Sequence, residues 1–159
     1  MTFFQFEADF TQSLRCIPMQ VRYNLDTCGV KLKLVHWNSF TAQERQQLVD
    51  LPCDSPQAAA AYRDYVQGRV VAHTGSAAGT LPIDPTPPWR SEGEIPASVA
   101  QKLEETQQQL SLAHWAALSP LQRFALIKLS RPSHENRNFE PAVKEFLEPL
   151  AGRSTSAPR

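Results

Sequence analysis

The sequence predicts an all-α fold: a six-helix domain built from two tandem three-helix repeats related by a pseudo-twofold axis. Three observations predict it. Residues 17 to 51 align without a gap onto residues 95 to 129 at a constant offset of 78. Apolar residues within each copy recur at helical spacing. Strand signals, runs of alternating β-branched or aromatic residues between turn residues, are nearly absent. The alignment is dense. Ile17/Ile95, Pro18/Pro96, Val21/Val99, Leu25/Leu103, Leu32/Leu110, Leu34/Leu112, His36/His114, Trp37/Trp115, Arg45/Arg123, Leu48/Leu126 and Leu51/Leu129 are identical, eleven of 35 positions. Typical residue frequencies give about two.

The first segment of each copy has the stripe of an amphipathic helix. Val21, Leu25, Cys28, Leu32 and Val35 recur at steps of four and three, as do Val99, Leu103, Thr106, Leu110 and Ala113. Pro18 and Pro96 stand where a helix tolerates proline, at its first turn. The stripe predicts a helix that runs to the His-Trp pair. Gly29 either closes a shorter helix at Cys28 or is absorbed within the helix at about 1 kcal/mol against alanine. Thr41 and Ser119 are candidate N-caps for a second helix carrying Leu48 and Leu51, or Leu126 and Leu129, and Thr41-Ala-Gln-Glu44 has the form of a capping box. The third helix is expected over roughly Gln57 to Arg69 and over Pro141 to Leu150. Its likeness resumes at offset 81, where Ala61 to Val66 faces Ala142 to Leu147. Phe139, Ala142, Val143, Phe146, Leu147 and Leu150 mark the buried face in the second copy.

These segments set the organisation: repeat one over about 15–70, a Pro-rich linker over about 72–94, repeat two over about 95–150, and a tail, 151–159, expected to be disordered. The linker carries Pro82, Pro85, Pro87 and Pro88, with Trp89 as the residue able to pin it down. Two copies of this size seldom make independent cores. Residues 1–150 are therefore expected to form one domain.

Composition excludes several function classes. Sixteen basic side chains balance sixteen acidic ones, so neither a basic nucleic-acid arm nor an acidic tail is expected. No apolar stretch approaches the roughly 18 residues a membrane span requires, and the opening MTFFQFEADF lacks a charged region followed by an apolar one. A cytoplasmic protein without nucleic-acid or membrane partners is expected. Three cysteines with no C-x-x-C pair argue against a disulfide framework and against a closed zinc site. No G-x-x-x-x-G-K-[ST], G-x-G-x-x-G, G-x-S-x-G or H-E-x-x-H occurs. The expectation is a non-enzyme with no catalytic residue, no resident cofactor and no metal.

Positions shared by the copies are best explained by folding. His36-Trp37 and His114-Trp115 read as structural, the tryptophans for buried area and the histidines for a helix C-terminus. A metal shared by the two imidazoles is disfavoured, because no Asp, Glu or Cys repeats beside them. Arg45 and Arg123 read as capping or ion-pair residues. The differences cluster in the first segment. Opposite Arg15, Cys16, Arg22, Cys28, Lys31 and Lys33 stand Gly93, Glu94, Ala100, Thr106, Gln109 and Ser111. One copy has acquired four cations and two thiols. Singly, Lys31 and Lys33 read as a solvated face and Cys28 as core. As a cluster in a neutral protein, Arg15, Cys16, Arg22, Cys28, Lys31 and Lys33 are the expected contact patch for an acidic partner or an anionic cofactor.

The strings Phe4-Gln-Phe-Glu-Ala-Asp-Phe10, Leu14-Arg-Cys-Ile-Pro18, Arg22-Tyr-Asn-Leu-Asp-Thr-Cys-Gly29 and Val30-Lys-Leu-Lys-Leu-Val-His-Trp37 resemble the nitrate reductase-associated protein family, found mainly in cyanobacteria. The resemblance is dense over about 3–52 and continues more thinly to about 150. It implies a protein encoded near genes for assimilatory nitrate reductase and molybdopterin biosynthesis, and needed for that reductase to be active. It supplies no catalytic residue. The function it implies is an accessory protein that binds the catalytic subunit of a cytoplasmic, ferredoxin-dependent nitrate reductase, with molybdopterin cofactor in transit as a further partner. A thiol protein handling sulfur or metal through Cys16, Cys28 and Cys53 is the alternative, and a general helical interaction module is a third reading.

Overall fold

The computed structural model describes residues 3–8, 14–132 and 136–156, the side chains of 151–156 excepted. The chain divides into two compact units, Met1–Phe3 with Glu7–Asp84 and Phe4–Phe6 with Pro85–Arg159. The division falls inside the expected linker. The first unit holds α1 (Met19–Cys28), β1 (Val30–Lys31), α2 (Leu34–Ser39), α3 (Ala42–Asp50), α4 (Pro56–Thr74) and β2 (Gly79–Thr80). The second holds α5 (Ala97–Glu105), α6 (Leu112–Ala117), α7 (Pro120–Ser130) and α8 (Phe139–Ser156). Single 3-10 turns lie at Gln5–Glu7, Pro88–Arg90 and Asn136–Asn138.

The protein is mostly helical, as the periodicity predicts. Among the described residues, however, eight α-helices replace the expected six, because the first segment of each copy breaks. Gly29 takes the left-handed conformation, φ 80 and ψ 35, and its amide donates to Leu25 O at 2.9 Å. That closes α1. The second copy breaks at the same place without a glycine: α5 ends at Glu105, and Gln107, 78 positions beyond Gly29, takes φ 55. There the Gln108 amide donates to Leu103 O at 2.9 Å. Carbonyls left open at a helix end are satisfied by such left-handed turns.

Two sequence expectations change with the break. The apolar stripe does not run past it, so Val35 is 65% exposed and Leu34 54%. The histidines stand at the start of a short helix, not at the end of a long one. His36 Nδ1 accepts the Lys33 amide at 3.0 Å and His114 Nδ1 accepts the Ser111 amide at 3.4 Å, so each ring caps its own helix.

The second helices begin as the capping signals predict. Thr41 Oγ1 accepts the Glu44 amide at 3.1 Å while Glu44 Oε1 accepts the Thr41 amide at 2.8 Å, and Ser119 with Gln122 repeats the arrangement. The third helices are longer than expected at both ends. Ser55 caps α4, Pro56 occupies its first turn, and Gly75 closes it at φ 86. The backbone of α8 continues to Ser156, into the stretch expected to be disordered; residues 157–159 lie outside the described part.

Each unit is pinned by the same pair of side chains. Trp37 is wholly buried and donates from Nε1 to Leu14 O at 2.8 Å; Trp115, equally buried, donates to Ser91 O at 2.9 Å. Arg45 Nε donates to Trp37 O at 3.1 Å and its Nη2 to Asn38 O at 3.2 Å. Arg123 Nη1 reaches Trp115 O at 3.2 Å and Ala116 O at 3.4 Å, the corresponding atoms of the second copy. The arginines therefore cap α2 and α6 at their carbonyl ends. Leu14 sits at φ 53, and its carbonyl takes a second bond from Arg45 Nη1 at 3.2 Å. Two donors on one carbonyl hold a leucine in a conformation it otherwise avoids.

In the first unit, α1 packs on α4 around Val21, Leu25, Cys28, Trp37, Leu48, Tyr62, Val66 and Val70, all buried. Tyr62 donates its hydroxyl to Leu48 O at 2.7 Å, tying α4 to α3. In the second, α7 packs on α5, α8 and the Pro88–Arg90 turn. Trp89 pins the linker there: its ring stands edge-on to Phe124 at 5.1 Å, and its carbonyl accepts from Arg123 Nε at 2.6 Å. Phe139, Ala142, Val143 and Phe146 are buried, whereas Leu147 and Leu150 at the end of the expected face are only half-buried.

Candidate functional site

Of the residues that distinguish the first copy, Cys28, Lys31 and Lys33 lie at the corner after α1, whereas Arg15 and Cys16 precede α1 and Arg22 lies on its first turn. Gly29 turns the chain so that Val30 and Lys31 pair antiparallel with Thr80 and Gly79, and the Leu81 amide donates to Gly29 O at 2.8 Å. The glycine is dictated twice. Its φ is positive, and a Cβ there would stand 2.9 Å from Leu81 O and 3.0 Å from Ile83 Cγ1. Beyond the corner, Lys31 is exposed on β1, Lys33 is the exposed N-cap of α2, and Leu34 and Val35 are exposed on its first turn. Two cations and two aliphatic side chains thus occupy five consecutive positions with Leu32. The second copy places Gln109, Ser111, Leu112 and Ala113 at those positions.

Arg15 is exposed in the segment before α1. Arg22 is half-buried, and its Nε donates to Ile17 O at 3.0 Å. Its counterpart is Ala100, and there the second unit has an open hollow of about 430 Å³ lined by Ile95, Ala100, Leu103, Glu104, Gln109 and Ser111 among others. An arginine bonded to the Ile17 carbonyl thus stands in one copy where the other has an alanine at the wall of a hollow.

Cys16 is half-buried before α1. Cys28, the last residue of α1, is 2% exposed and offers a partner no surface. Cys53, in the turn between α3 and α4, was not in the expected patch, yet it lies at the same end of α1 as Cys28, near enough for each thiol to shift the other's ionisation. Cys53 Sγ also donates to Asn24 O at 3.6 Å and Cys28 Sγ to Leu25 O at 3.7 Å. The Cys53 side chain, opposed by burial and helped by the Val30 amide and by Arg63, holds the Cys28 thiol below its ordinary value of 9.0. The Cys28 side chain, then burial, pushes Cys53 up. One thiol of the pair is favoured as the thiolate and the other as the thiol. Burial also pushes the neighbouring Tyr62 hydroxyl up.

A second polar cluster joins α3 to α4. Glu44 Oε1 meets His73 Nε2 at 2.7 Å, and Glu44 Oε2 meets Arg69 Nη1 at 3.3 Å. Burial opposes ionisation of Glu44, but the Thr41 amide, His73 and Arg69 outweigh it and hold the carboxyl below its ordinary value. Both partners of the acid are absent from the aligned part of the second copy, where Gln122 takes its position.

Among the described residues, no group of three or more His, Cys, Asp or Glu side chains is placed to hold a metal ion, and no helix is long and apolar enough to cross a membrane. Comparison with known proteins then places the chain. The model of the conserved nitrate reductase-associated protein family matches residues 3–146, and the chain belongs to that family. No curated protein and no solved structure matches it.

Proposed function

We propose that this member of the nitrate reductase-associated family is a non-catalytic accessory protein that binds nitrate reductase through the corner after α1. The family name supports the partner. The observation that carries the surface is the asymmetry of the two copies: Lys31 and Lys33 precede the exposed Leu34 and Val35 in one, where the other has the uncharged Gln109 and Ser111 before an equally exposed Leu112 and the smaller Ala113. Exposed aliphatic residues supply area to bury, and the lysines, with Arg15, supply long-range attraction to an acidic partner. Arg22 contributes from beneath, through the backbone it holds.

Binding one conformation of the reductase stabilises it by mass action, and a conformation with an open cofactor cleft favours insertion of the molybdenum cofactor. The accessory protein then requires no cofactor of its own. The reading places the encounter in the cytoplasm, with the catalytic subunit of a ferredoxin-dependent enzyme as partner. It includes a tandem origin for the two units, supported by the sequence repeat and by left-handed residues at 29 and 107, and their packing about a pseudo-twofold into one domain over 1–150. One cooperative unfolding transition for the whole chain is the expected sign of that packing; two separable transitions contradict it.

The test of the docking surface is charge reversal. The double variant Lys31→Glu and Lys33→Glu places like charges against an acidic partner, which costs several kcal/mol, or more than tenfold in affinity at about 1.4 kcal/mol per decade. Co-purification with the reductase and its molybdenum content are measured together. Both are expected to fall. Unchanged recovery and unchanged molybdenum remove the corner from the account.

A further inference from the structure

We propose that Cys28 and Cys53 form a reversible dithiol–disulfide site inside the first unit, oxidised by hydrogen peroxide and restored by a dithiol. The inference stands apart from the accessory reading, since neither thiol is needed to bind a partner.

The fold brings together two cysteines 25 positions apart in the sequence, the last residue of α1 and the middle of the α3–α4 turn. Their sulfurs contact consecutive carbonyls of the α1 end, Cys53 Sγ on Asn24 O at 3.6 Å and Cys28 Sγ on Leu25 O at 3.7 Å, and Cys53 packs against the core cluster that holds Cys28. A disulfide requires sulfurs about 2.05 Å apart, and two sulfurs seated on consecutive carbonyls of one helix end approach by side-chain rotation and a shift of the turn. The third cysteine is elsewhere in the unit's N-terminal segment. The second copy has Thr106 at the position of Cys28, and its hydroxyl is spent on Lys102 O and Gln108 Oε1. The pair therefore belongs to the first unit alone.

Access and ionisation select the oxidant and the order of events. Cys28 is 2% exposed and Cys53 half-buried, so a small peroxide enters where a peptide disulfide does not. The Cys53 thiol, against the effect of burial and with the Val30 amide and Arg63, favours the Cys28 thiolate. That thiolate attacks one peroxide oxygen; the O–O bond breaks, hydroxide leaves, and Cys28 becomes a sulfenic acid. Cys53 sulfur then attacks the sulfenic sulfur. The S–S bond forms as the S–O bond breaks, and the departing hydroxide carries the Cys53 proton away as water. In sum two thiols lose two electrons and two protons, and one peroxide becomes two waters. An external dithiol reverses the change by thiol–disulfide exchange. The bridge fastens the end of α1, from which the Gly29–Lys33 corner departs, to the turn between α3 and α4.

The full chain is exposed to hydrogen peroxide, its remaining thiols are blocked with N-ethylmaleimide, and peptides are mapped by mass spectrometry. The expected product joins the Cys28 and Cys53 peptides, lighter by two hydrogen atoms, with Cys16 alkylated, and dithiothreitol restores three alkylatable thiols. The Cys16→Ala variant gives the same bridge. Cys53→Ala leaves Cys28 as a sulfenic acid that dimedone captures. The site is refuted by Cys28 and Cys53 both remaining alkylatable, by sulfinic acid without a cross-link, or by a bridge to Cys16. Should Cys53→Ala fail to fold, the wild-type and Cys16→Ala maps decide.

Discussion

Replacing Gly29 by alanine and Gln107 by glycine tests whether one left-handed turn is solved in two ways by two copies of the same unit. An L-residue in that conformation costs roughly 1–2 kcal/mol. At residue 29 the new methyl also meets Leu81 O at 2.9 Å and Ile83 Cγ1 at 3.0 Å. To make room, the 79–83 segment must move, which loosens the bond from the Leu81 amide to Gly29 O and the two-residue ladder with β1. Each backbone bond contributes about 1 kcal/mol net. Gly29→Ala is therefore expected to destabilise the protein by about 2–4 kcal/mol. At residue 107 the cost of φ 55 is already present in the wild type. Gln107→Gly removes roughly 1–2 kcal/mol of it and adds roughly 0.5–1 kcal/mol of unfolded-state entropy, for a net gain between zero and about 1.5 kcal/mol. Urea unfolding followed by tryptophan fluorescence and circular dichroism supplies both values. A Gly29→Ala midpoint indistinguishable from wild type, or a Gln107→Gly loss as large as that of Gly29→Ala, refutes the reasoning.

Three further outcomes follow from the same contacts. Arg123, 2% exposed and bonded to the carbonyls of Trp89, Trp115 and Ala116, is expected to cost at least about 3 kcal/mol when changed to methionine, because buried carbonyls lose a charged donor. Arg45→Met is expected to cost less in the same denaturant titration, since Arg45 is only half-buried. Glu44 has a lowered folded-state pKa, so its contribution is complete above a glutamate's ordinary value near 4.5 and is lost as pH falls through the folded value. Wild-type stability should therefore fall more steeply than that of Glu44→Gln in a thermal-melt series run from pH 6 to pH 3, and parallel curves count against the cluster.

Much of the architecture is legible in the sequence wherever it depends on neighbours a few residues apart. The Thr41–Glu44 capping box, the α7 start at Ser119, the buried face from Phe139 to Phe146 and the anchoring by Trp89 all follow from local spacing and side-chain chemistry. The break after α1 was half visible in Gly29. Its twin was not, because glutamine carries no turn signal and Gln107 is held left-handed by the helix-closing bond to Leu103 O. The alignment itself contained the hint: a glycine in one copy marks the residue opposite as a candidate for the same backbone. Because of that break the apolar stripe stops short and the histidines stand at the start of a short helix. Of the residues in the expected patch, Lys31 and Lys33 lie on an exposed corner, whereas Cys28 belongs to the interior. Its proximity to Cys53 depends on how the α3–α4 turn folds back on α1, a long-range packing outcome that no spacing in the chain encodes.

Hydrogen–deuterium exchange of the protein with and without nitrate reductase reads the proposed surface amide by amide. The account predicts slowed exchange over residues 31–35 of the first unit and unchanged exchange over 109–113, their counterparts in the second. Protection confined to the second unit, or none in either, contradicts it.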